Sequence, residues 1–185
     1  MYTINKRNMD KTDTLLKQTK KLYHTGDLRN LWHIDNPSTL RKTISRYIQK
    51  GVLIPVYRGF YSVVPVPEID PLELGSAALH EYAYVSTETV LAQSGVIFQN
   101  IPSYTFCSTK TKRFEVAGTR YGSRQLNDAY LYNKTGIIDK GKYKIASPER
   151  AMADMLYFNP SYHFDAKDEV DKNIFEKIRR EVYGT

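Results

Sequence analysis

Cationic and hydroxyl side chains recur at helical spacing between residues 37 and 50. On a helix that turns by about 100° per residue, the apolar side chains of this stretch share one face, which would pack inward: Leu40, Ile44, Tyr47 and Ile48. The opposite face carries no carboxylate and presents Ser38, Arg41, Lys42, Ser45, Arg46 and Gln49. Arginine and lysine donate hydrogen bonds to guanine edges and to phosphates, so this face has the chemistry to bind duplex DNA.

The segments around this helix predict where it begins and ends. Asn36 or Asp35 is placed to cap its first turn, where Pro37 is tolerated, and Gly51 ends it. A first helix is predicted over about Asp10 to Tyr23 from its spacing of apolar residues. These helices would form the small core that presents the basic face outward.

A second helix and a hairpin complete this arrangement. Thr25 is predicted to cap the second helix, which carries Trp32. Two β-rich runs, 52–57 and 60–64, flank Gly59, which allows the positive φ of a tight hairpin. Three helices followed by a hairpin with a basic tip predict a winged helix-turn-helix, whose third helix enters the major groove. The predicted DNA-binding residues are Ser38, Thr39, Arg41, Lys42, Ser45, Arg46 and Arg58.

The distribution of charge agrees with this interpretation. The chain has 185 residues and a formal net charge of +7. Residues 1–67 hold 12 of the 27 Lys and Arg but only 4 of the 20 Asp and Glu, so the basic excess lies in the first third. A basic segment favours a polyanionic partner, although a solvated surface or a membrane surface could also explain it. The alternative for the helix itself is an ordinary amphipathic helix with a solvated basic face.

Composition excludes several other classes of protein. A single cysteine, Cys107, cannot form an internal disulfide or alone supply a zinc site. The amino terminus lacks the apolar core of a secretion signal, and no apolar stretch is long enough to span a membrane, so we expect a cytoplasmic protein. The four histidines form no close pair, and no phosphate-binding or nucleophile-elbow motif occurs. We therefore predict no metal, no cofactor and no catalysis.

Prolines divide the chain. Three of them fall within 65–71 and favour an extended linker, which predicts a DNA-binding domain over 1–66 and a second domain over 67–185. The second domain should be α+β. Its predicted helices span 70–79, 87–93 after a cap at Ser86, 148–157 after a cap at Ser147, and 168–183. Its short extended runs, at 104–107, 113–116, 130–132, 136–138 and 143–145, predict a small, mainly antiparallel sheet.

An acidic segment offers the best enzymatic alternative. Asp165, Lys167 and Asp168, with Glu169 and Asp171 beside them, could place carboxylates around Mg²⁺ and an ammonium near a scissile phosphate, as in a metal-dependent nuclease. These acids also precede the predicted last helix, where negative charge stabilises the helix dipole. That structural explanation is the stronger of the two.

Three stretches resemble the AbiEi-type antitoxins of bacterial type IV toxin-antitoxin (abortive infection) systems. They are Gly51–Val52–Leu53 to Tyr57–Arg58–Gly59–Phe60–Tyr61, Tyr84–Val85–Ser86 to Gly95–Val96–Ile97, and Lys144–Ile145–Ala146–Ser147–Pro148–Glu149–Arg150–Ala151. The resemblance implies that the first domain binds inverted repeats in the promoter of its own operon and represses it. It also implies that the second domain counters a nucleotidyltransferase-like toxin without forming a stable complex with it. A stand-alone regulator with an unknown effector, or an interaction module, remain the other function classes.

Overall fold

The computed structural model describes residues 11–184. The chain forms two compact units that divide between Ile69 and Asp70, hereafter the N-terminal and C-terminal units. The boundary predicted from the prolines lies slightly earlier, between residues 66 and 67. Residues Val66–Glu68 form a 3-10 helical turn rather than the extended linker that was predicted.

The described part of the N-terminal unit contains helices and one antiparallel sheet. Its helices are α1 (Lys11–Leu16), α2 (Thr25–Trp32) and α3 (Pro37–Gln49), and its strands are β1 (Leu22–His24), β2 (Ile54–Tyr57) and β3 (Phe60–Ser62). The three strands lie in the order β1-β3-β2, so β3 is central. The predicted third helix and the hairpin after it are confirmed, with α3 ending one residue earlier than expected.

The predicted first helix was too long. It was expected to reach Tyr23, but α1 ends at Leu16, and Asp10 lies outside the described residues. Leu22 and Tyr23 instead belong to β1, where Tyr23 pairs with Tyr61 of β3. The two strands are almost forty residues apart in sequence, so the periodicity near residue 22 carries no trace of this pairing.

The start of α2 also differs from the prediction by one residue. Thr25 is the first helical residue and His24 is the N-cap. The backbone N–H of His24 donates to the Asp27 carboxylate at 2.8 Å, so an acid in the first turn supplies the capping contact.

A single apolar cluster holds the N-terminal unit together. Leu40, Ile44 and Tyr47 of α3 are buried in it, and Ile48 is partly buried, as the helical periodicity predicted. The Trp32 and Tyr47 rings lie 5.1 Å apart between α2 and α3. Burial of this face fixes which side of α3 points to solvent.

The C-terminal unit is built on a mixed sheet. The described strands are β4 (Ala83–Val85), β5 (Tyr104–Ser108), β6 (Lys112–Val116), β7 (Thr119–Gln125), β8 (Ile137–Asp139) and β9 (Lys144–Ala146). They lie in the order β6-β7-β5-β4-β9-β8. The pairs β4–β9 and β5–β7 are parallel and the other three are antiparallel. The sheet is therefore larger and more mixed than the small, mainly antiparallel sheet that was predicted.

Helices of the C-terminal unit cover the sheet and its ends. They are α4 (Pro71–Leu79), α5 (Glu88–Gln93), α6 (Asp128–Leu131), α7 (Pro148–Phe158) and α8 (Lys172–Ile178), and a π-helical turn (Arg179–Tyr183) follows α8. The predictions of α4 and α7 are confirmed. The predicted Ser147 cap is also confirmed, because its hydroxyl oxygen accepts a hydrogen bond from the backbone N–H of Arg150 at 3.2 Å.

Three predictions for this unit were wrong, and one strand was missed. Residues 130–132 were expected to be extended, but Asn127 caps the short helix α6 there. Strand β7 was not predicted. Ser86 was expected to cap α5, but Thr87 occupies the cap position and Ser86 is buried. The last helix was expected over 168–183, but Lys167–Glu169 form a 3-10 turn and α8 begins only after an Asp171 cap.

Candidate nucleic-acid interface

The amino-terminal end of α3 is fixed by its cap. The Asn36 side-chain oxygen accepts hydrogen bonds from the backbone N–H groups of Ser38 and Thr39 at 2.9 and 3.1 Å. The Ser38 hydroxyl also donates to it, at 3.0 Å. An asparagine cap followed by Pro37 sets the direction in which α3 leaves the preceding turn.

The outward face of α3 is open to solvent. The seven predicted site residues are all exposed: Ser38, Thr39, Arg41, Lys42, Ser45 and Arg46 on α3, and Arg58 in the hairpin turn. We call the six on α3 the basic face. The structure therefore brings six of the seven together on one helix, while the seventh lies on a separate element of the same unit.

The cations of the basic face are not neutralised within the described residues. Arg41, Lys42 and Arg46 form no salt bridge there. The Arg46 guanidinium carbon lies 5.6 Å from the centre of the Tyr47 ring, a cation–π contact that keeps its charge available. The basic face thus carries three positive charges and no internal counter-ion.

Nearby carboxylates are occupied by other cations. Asp27 accepts from Lys20 at 2.9 Å, and Asp35 lies 3.3 Å from Arg29. Partial burial acts to raise the pKa of Asp27, but hydrogen bonds from Lys20 and from the His24 backbone lower it below its ordinary value. Asp27 therefore stays ionised at neutral pH and bound to its own partners.

The hairpin is held against the helices by backbone contacts. Val52 and Leu53 both donate to the Tyr47 carbonyl, at 3.0 and 3.2 Å, which ties the start of the hairpin to the last turns of α3. At its tip, Gly59 has φ of 85° and its carbonyl accepts from the Thr25 N–H at 2.9 Å. Arg58 is thus displayed on a turn that is anchored on both sides.

A second cluster of polar side chains lies inside the C-terminal unit. Arg150 of α7 is 0% exposed, and its guanidinium makes five hydrogen bonds, one for each N–H. It donates to Asp154 at 2.7 Å and to the Tyr84 hydroxyl at 2.8 Å. The other three bonds, of 2.7–3.1 Å, go to the carbonyl of Tyr130 in α6 and to those of Asn133 and Thr135 in the loop after it.

Asp154 is the counter-ion of this cluster and is also 0% exposed. It accepts from Ser86 at 2.6 Å and from the Tyr183 hydroxyl. Burial and the Asp154 charge raise the pKa of Cys107 well above its ordinary value, so this thiol stays neutral. A closed, fully hydrogen-bonded cluster is suited to holding β4, α7 and the α6 loop together rather than to catalysis.

Sequence reasoning did not find this cluster. Ser86 was interpreted only as a cap, and Arg150 only as part of a matching stretch. The available signal was the Arg150 and Asp154 pair, four residues apart and surrounded by apolar residues on α7, because charges at that spacing share one helix face.

The acidic segment proposed for Mg²⁺ does not assemble a site. Asp165 accepts from the Phe98 N–H at 2.8 Å, and Asp171 caps α8. Between residues 11 and 184, no three His, Cys, Asp or Glu side chains lie together as a metal site requires. Over the same span, every helix is too short or too polar to cross a bilayer.

No protein-family model matches the chain, and no curated protein is significantly similar to it.

Proposed function

We propose that this protein is a transcriptional repressor that binds DNA through a winged helix-turn-helix and serves as the antitoxin of a type IV toxin-antitoxin pair. The observation that carries the proposal is the basic face of α3, which has three exposed cations, exposed hydroxyls and no counter-ion among residues 11–184. We propose no catalytic activity for the protein.

The order of elements in the N-terminal unit supports a winged helix-turn-helix. The elements follow one another as α1-β1-α2-α3-β2-β3. The three strands form one sheet in which β3 lies between β1 and β2. In a winged helix-turn-helix, α2 would support α3, as the contact between the Trp32 and Tyr47 rings allows, and the hairpin would serve as the wing. The buried face of α3 leaves the basic face as the part that would enter the major groove.

The chemistry of the basic face favours DNA over other polyanions. Arg41 and Arg46 can donate pairs of parallel hydrogen bonds to guanine, while Lys42 and the serine hydroxyls can contact phosphates and base edges. Arg58 at the wing tip would reach the backbone or the minor groove. One chain would occupy one half-site of an inverted repeat, and lysines of the α1 region would add phosphate contacts.

A gel-shift titration with DNA from upstream of its own reading frame tests the DNA-binding part. The double variant Arg41→Ala, Lys42→Ala should bind at least tenfold more weakly at fixed salt, because two of the three cations of the basic face are removed. The matched control is Lys134→Ala with Arg180→Ala, which removes two exposed cations of the C-terminal unit and should leave the affinity unchanged. Equal affinity of the double variant and the wild type would falsify this part of the proposal.

The antitoxin part rests on the resemblance of two stretches of the C-terminal unit to AbiEi-type antitoxins. In the fold these stretches are neighbours: one contributes β4 and α5, the other β9 and the start of α7, and Val85 pairs with Ile145. Tyr84 from the first and Arg150 from the second are joined by a hydrogen bond. The resemblance therefore involves residues that form one buried structural element, as expected if it reflects a shared domain.

Co-expression tests this part. If an adjacent reading frame encodes a nucleotidyltransferase-like protein, its expression alone should arrest growth, and co-expression of the present chain should restore it. Rescue should persist in the Arg41→Ala, Lys42→Ala variant expressed from an independent promoter, because toxin neutralisation is assigned to the other unit. Growth arrest that this chain does not relieve would contradict the antitoxin role and leave the repressor role standing.

A further inference from the structure

The C-terminal unit contains a solvent-open groove of about 830 Å³. Its lining comes from strands β5, β6 and β7, from Glu88 and Tyr162, and from residues between 99 and 103. Its size falls within the range of about 300–1,000 Å³ that is usual for small-molecule sites.

Three arginines share the sheet face that forms this groove. Gly122 of β7 pairs with Arg113 on β6 and with Thr105 on β5. Arg120 and Arg124 lie two residues before and after Gly122 on the same strand, so their side chains leave the sheet on the same side. The Cα atoms of all three arginines therefore lie within about 7 Å of the Gly122 Cα, either along β7 or across to β6.

Gly122 keeps the floor of the groove open. A Cβ atom built at this position would meet no atom within 4 Å. Gly122 is the only glycine within a described strand, and an arginine lies two residues away from it on each side. A larger residue here would project between the three arginines and fill the space that a ligand would use.

The groove is basic in a unit that is otherwise balanced. Residues 68–185 hold 15 basic and 16 acidic residues, but residues 104–125 hold five basic residues and only Glu115 as an acid. The Arg124 guanidinium is paired with Glu88, whereas the guanidinium groups of Arg113 and Arg120 form no salt bridge or hydrogen bond within the described residues. Two guanidiniums thus remain available even though Glu115 lies opposite Arg120 in the sheet.

The remaining walls offer groups that recognise more than a phosphate. Gln99 contributes an amide, Ser103 and Thr111 contribute hydroxyls, and the half-buried Tyr162 contributes an aromatic ring. Amides and hydroxyls can hydrogen-bond sugars and base edges, and a tyrosine ring can stack on a base.

We propose that this groove binds a free nucleotide, with the phosphates held by Arg113 and Arg120 and the base lying towards Tyr162. Guanidinium groups bind phosphate through two parallel hydrogen bonds, so two arginines without internal partners suit a di- or triphosphate. The volume accommodates one nucleotide rather than a phosphate ion alone. The site is independent of the basic face of α3 and gives the C-terminal unit a ligand of its own.

Isothermal titration calorimetry of the 185-residue chain with ATP, GTP, CTP and UTP tests the proposal. At least one of them should bind with a 1:1 stoichiometry. The Arg113→Ala, Arg120→Ala variant should weaken that binding at least tenfold, since both phosphate contacts are lost. Gly122→Val should weaken nucleotide binding to a similar extent. It should not lower the melting temperature, because valine is favoured in strands and a Cβ atom at this position has no neighbour within 4 Å. Arg180→Ala is the matched control and should bind as the wild type does.

Three outcomes would overturn the proposal. They are no binding of any of the four nucleotides at millimolar concentration, binding that the two arginine substitutions leave unchanged, and binding of a single-stranded decanucleotide alone, which would make the groove part of a nucleic-acid surface. If Gly122→Val lowers the melting temperature, the arginine variant decides. A parallel operator gel shift separates this inference from the repressor proposal. The Arg113→Ala, Arg120→Ala variant should bind the operator as tightly as the wild type does.

Discussion

The two units use arginine in opposite ways. In the N-terminal unit, Arg41 and Arg46 stand on the exposed side of a helix and form no salt bridge within the described residues. In the C-terminal unit, Arg150 is fully buried and each of its five N–H groups has an acceptor. A guanidinium whose donors are all occupied internally stabilises a fold, whereas one whose donors face solvent is available to a ligand.

This contrast also separates the two parts of the proposed function. The DNA-binding proposal depends on side chains that the fold leaves exposed. The stretches on which the proposed antitoxin role rests include Tyr84 and Arg150, which are buried and join β4 to α7 through a hydrogen bond. The resemblance therefore concerns the interior of that unit, and the surface that would counter a toxin has to be sought elsewhere on it.

The largest expected effect follows from removing the buried arginine. Arg150→Ala leaves Asp154 buried without its counter-ion and three backbone carbonyls without their Arg150 donor, which should destabilise the C-terminal unit by about 3–5 kcal/mol. Urea denaturation followed by far-UV circular dichroism measures this loss. Trp32, the single tryptophan, lies in the N-terminal unit, so its fluorescence reports that unit separately.

Arg46→Ala is the matched control for the comparison. Because Arg46 is exposed and makes only a cation–π contact, its loss should change the free energy of unfolding by less than about 0.5 kcal/mol. Equal destabilisation by the two substitutions would show that the distinction between structural and available arginines is wrong for this protein.

A smaller effect is expected where the backbone makes room for Arg150. Gly136 has φ of 74°, and a Cβ there would lie 2.7 Å from the Cβ of Arg150. Gly136→Ala should therefore cost about 2–4 kcal/mol, from an unfavourable backbone conformation and from overpacking. Gly141 has a similar φ of 78° with nothing within 4 Å, so Gly141→Ala should cost only about 1–2 kcal/mol. Similar losses in the two variants would mean that packing against Arg150 is not what requires Gly136.

The smallest of these effects concerns the cap of α3. Asn36→Ala removes the acceptor of two backbone N–H groups and should destabilise the N-terminal unit by about 1 kcal/mol. The Trp32 fluorescence transition in urea measures the loss. Asn36→Asp retains a capping oxygen and should stay close to the wild type; a loss as large as that of alanine would argue that the cap does not hold α3 in place.

The sequence was sufficient to predict which face of α3 is exposed because every signal needed for that prediction is local. The period of apolar residues, the Asn36 cap and Gly59 in the hairpin turn all act within a few residues of one another. Burial of Leu40 and Ile44 then determines which face of α3 is exposed. Helix α3 therefore agrees with the prediction to within one residue, and each strand of the hairpin to within two.

The features that were missed depend on partners distant in the chain. Strand β1 exists because it pairs with β3. Strand β7 is polar and has Gly122 at its centre, and it lies between β5 and β6 in the sheet. The Arg150 cluster joins residues as far apart as Tyr84 and Tyr183. Local periodicity cannot reveal pairings that only the assembled sheet creates.

The salt dependence of operator binding tests the central claim, that the basic face of α3 contacts DNA, most directly. The logarithm of the affinity should fall linearly with the logarithm of salt concentration, and its slope should be shallower by about 2 in the Arg41→Ala, Lys42→Ala variant, if each cation contacts a phosphate. The Lys134→Ala, Arg180→Ala control should keep the wild-type slope. A slope that is the same in all three proteins would contradict the assignment of α3 as the DNA-binding helix.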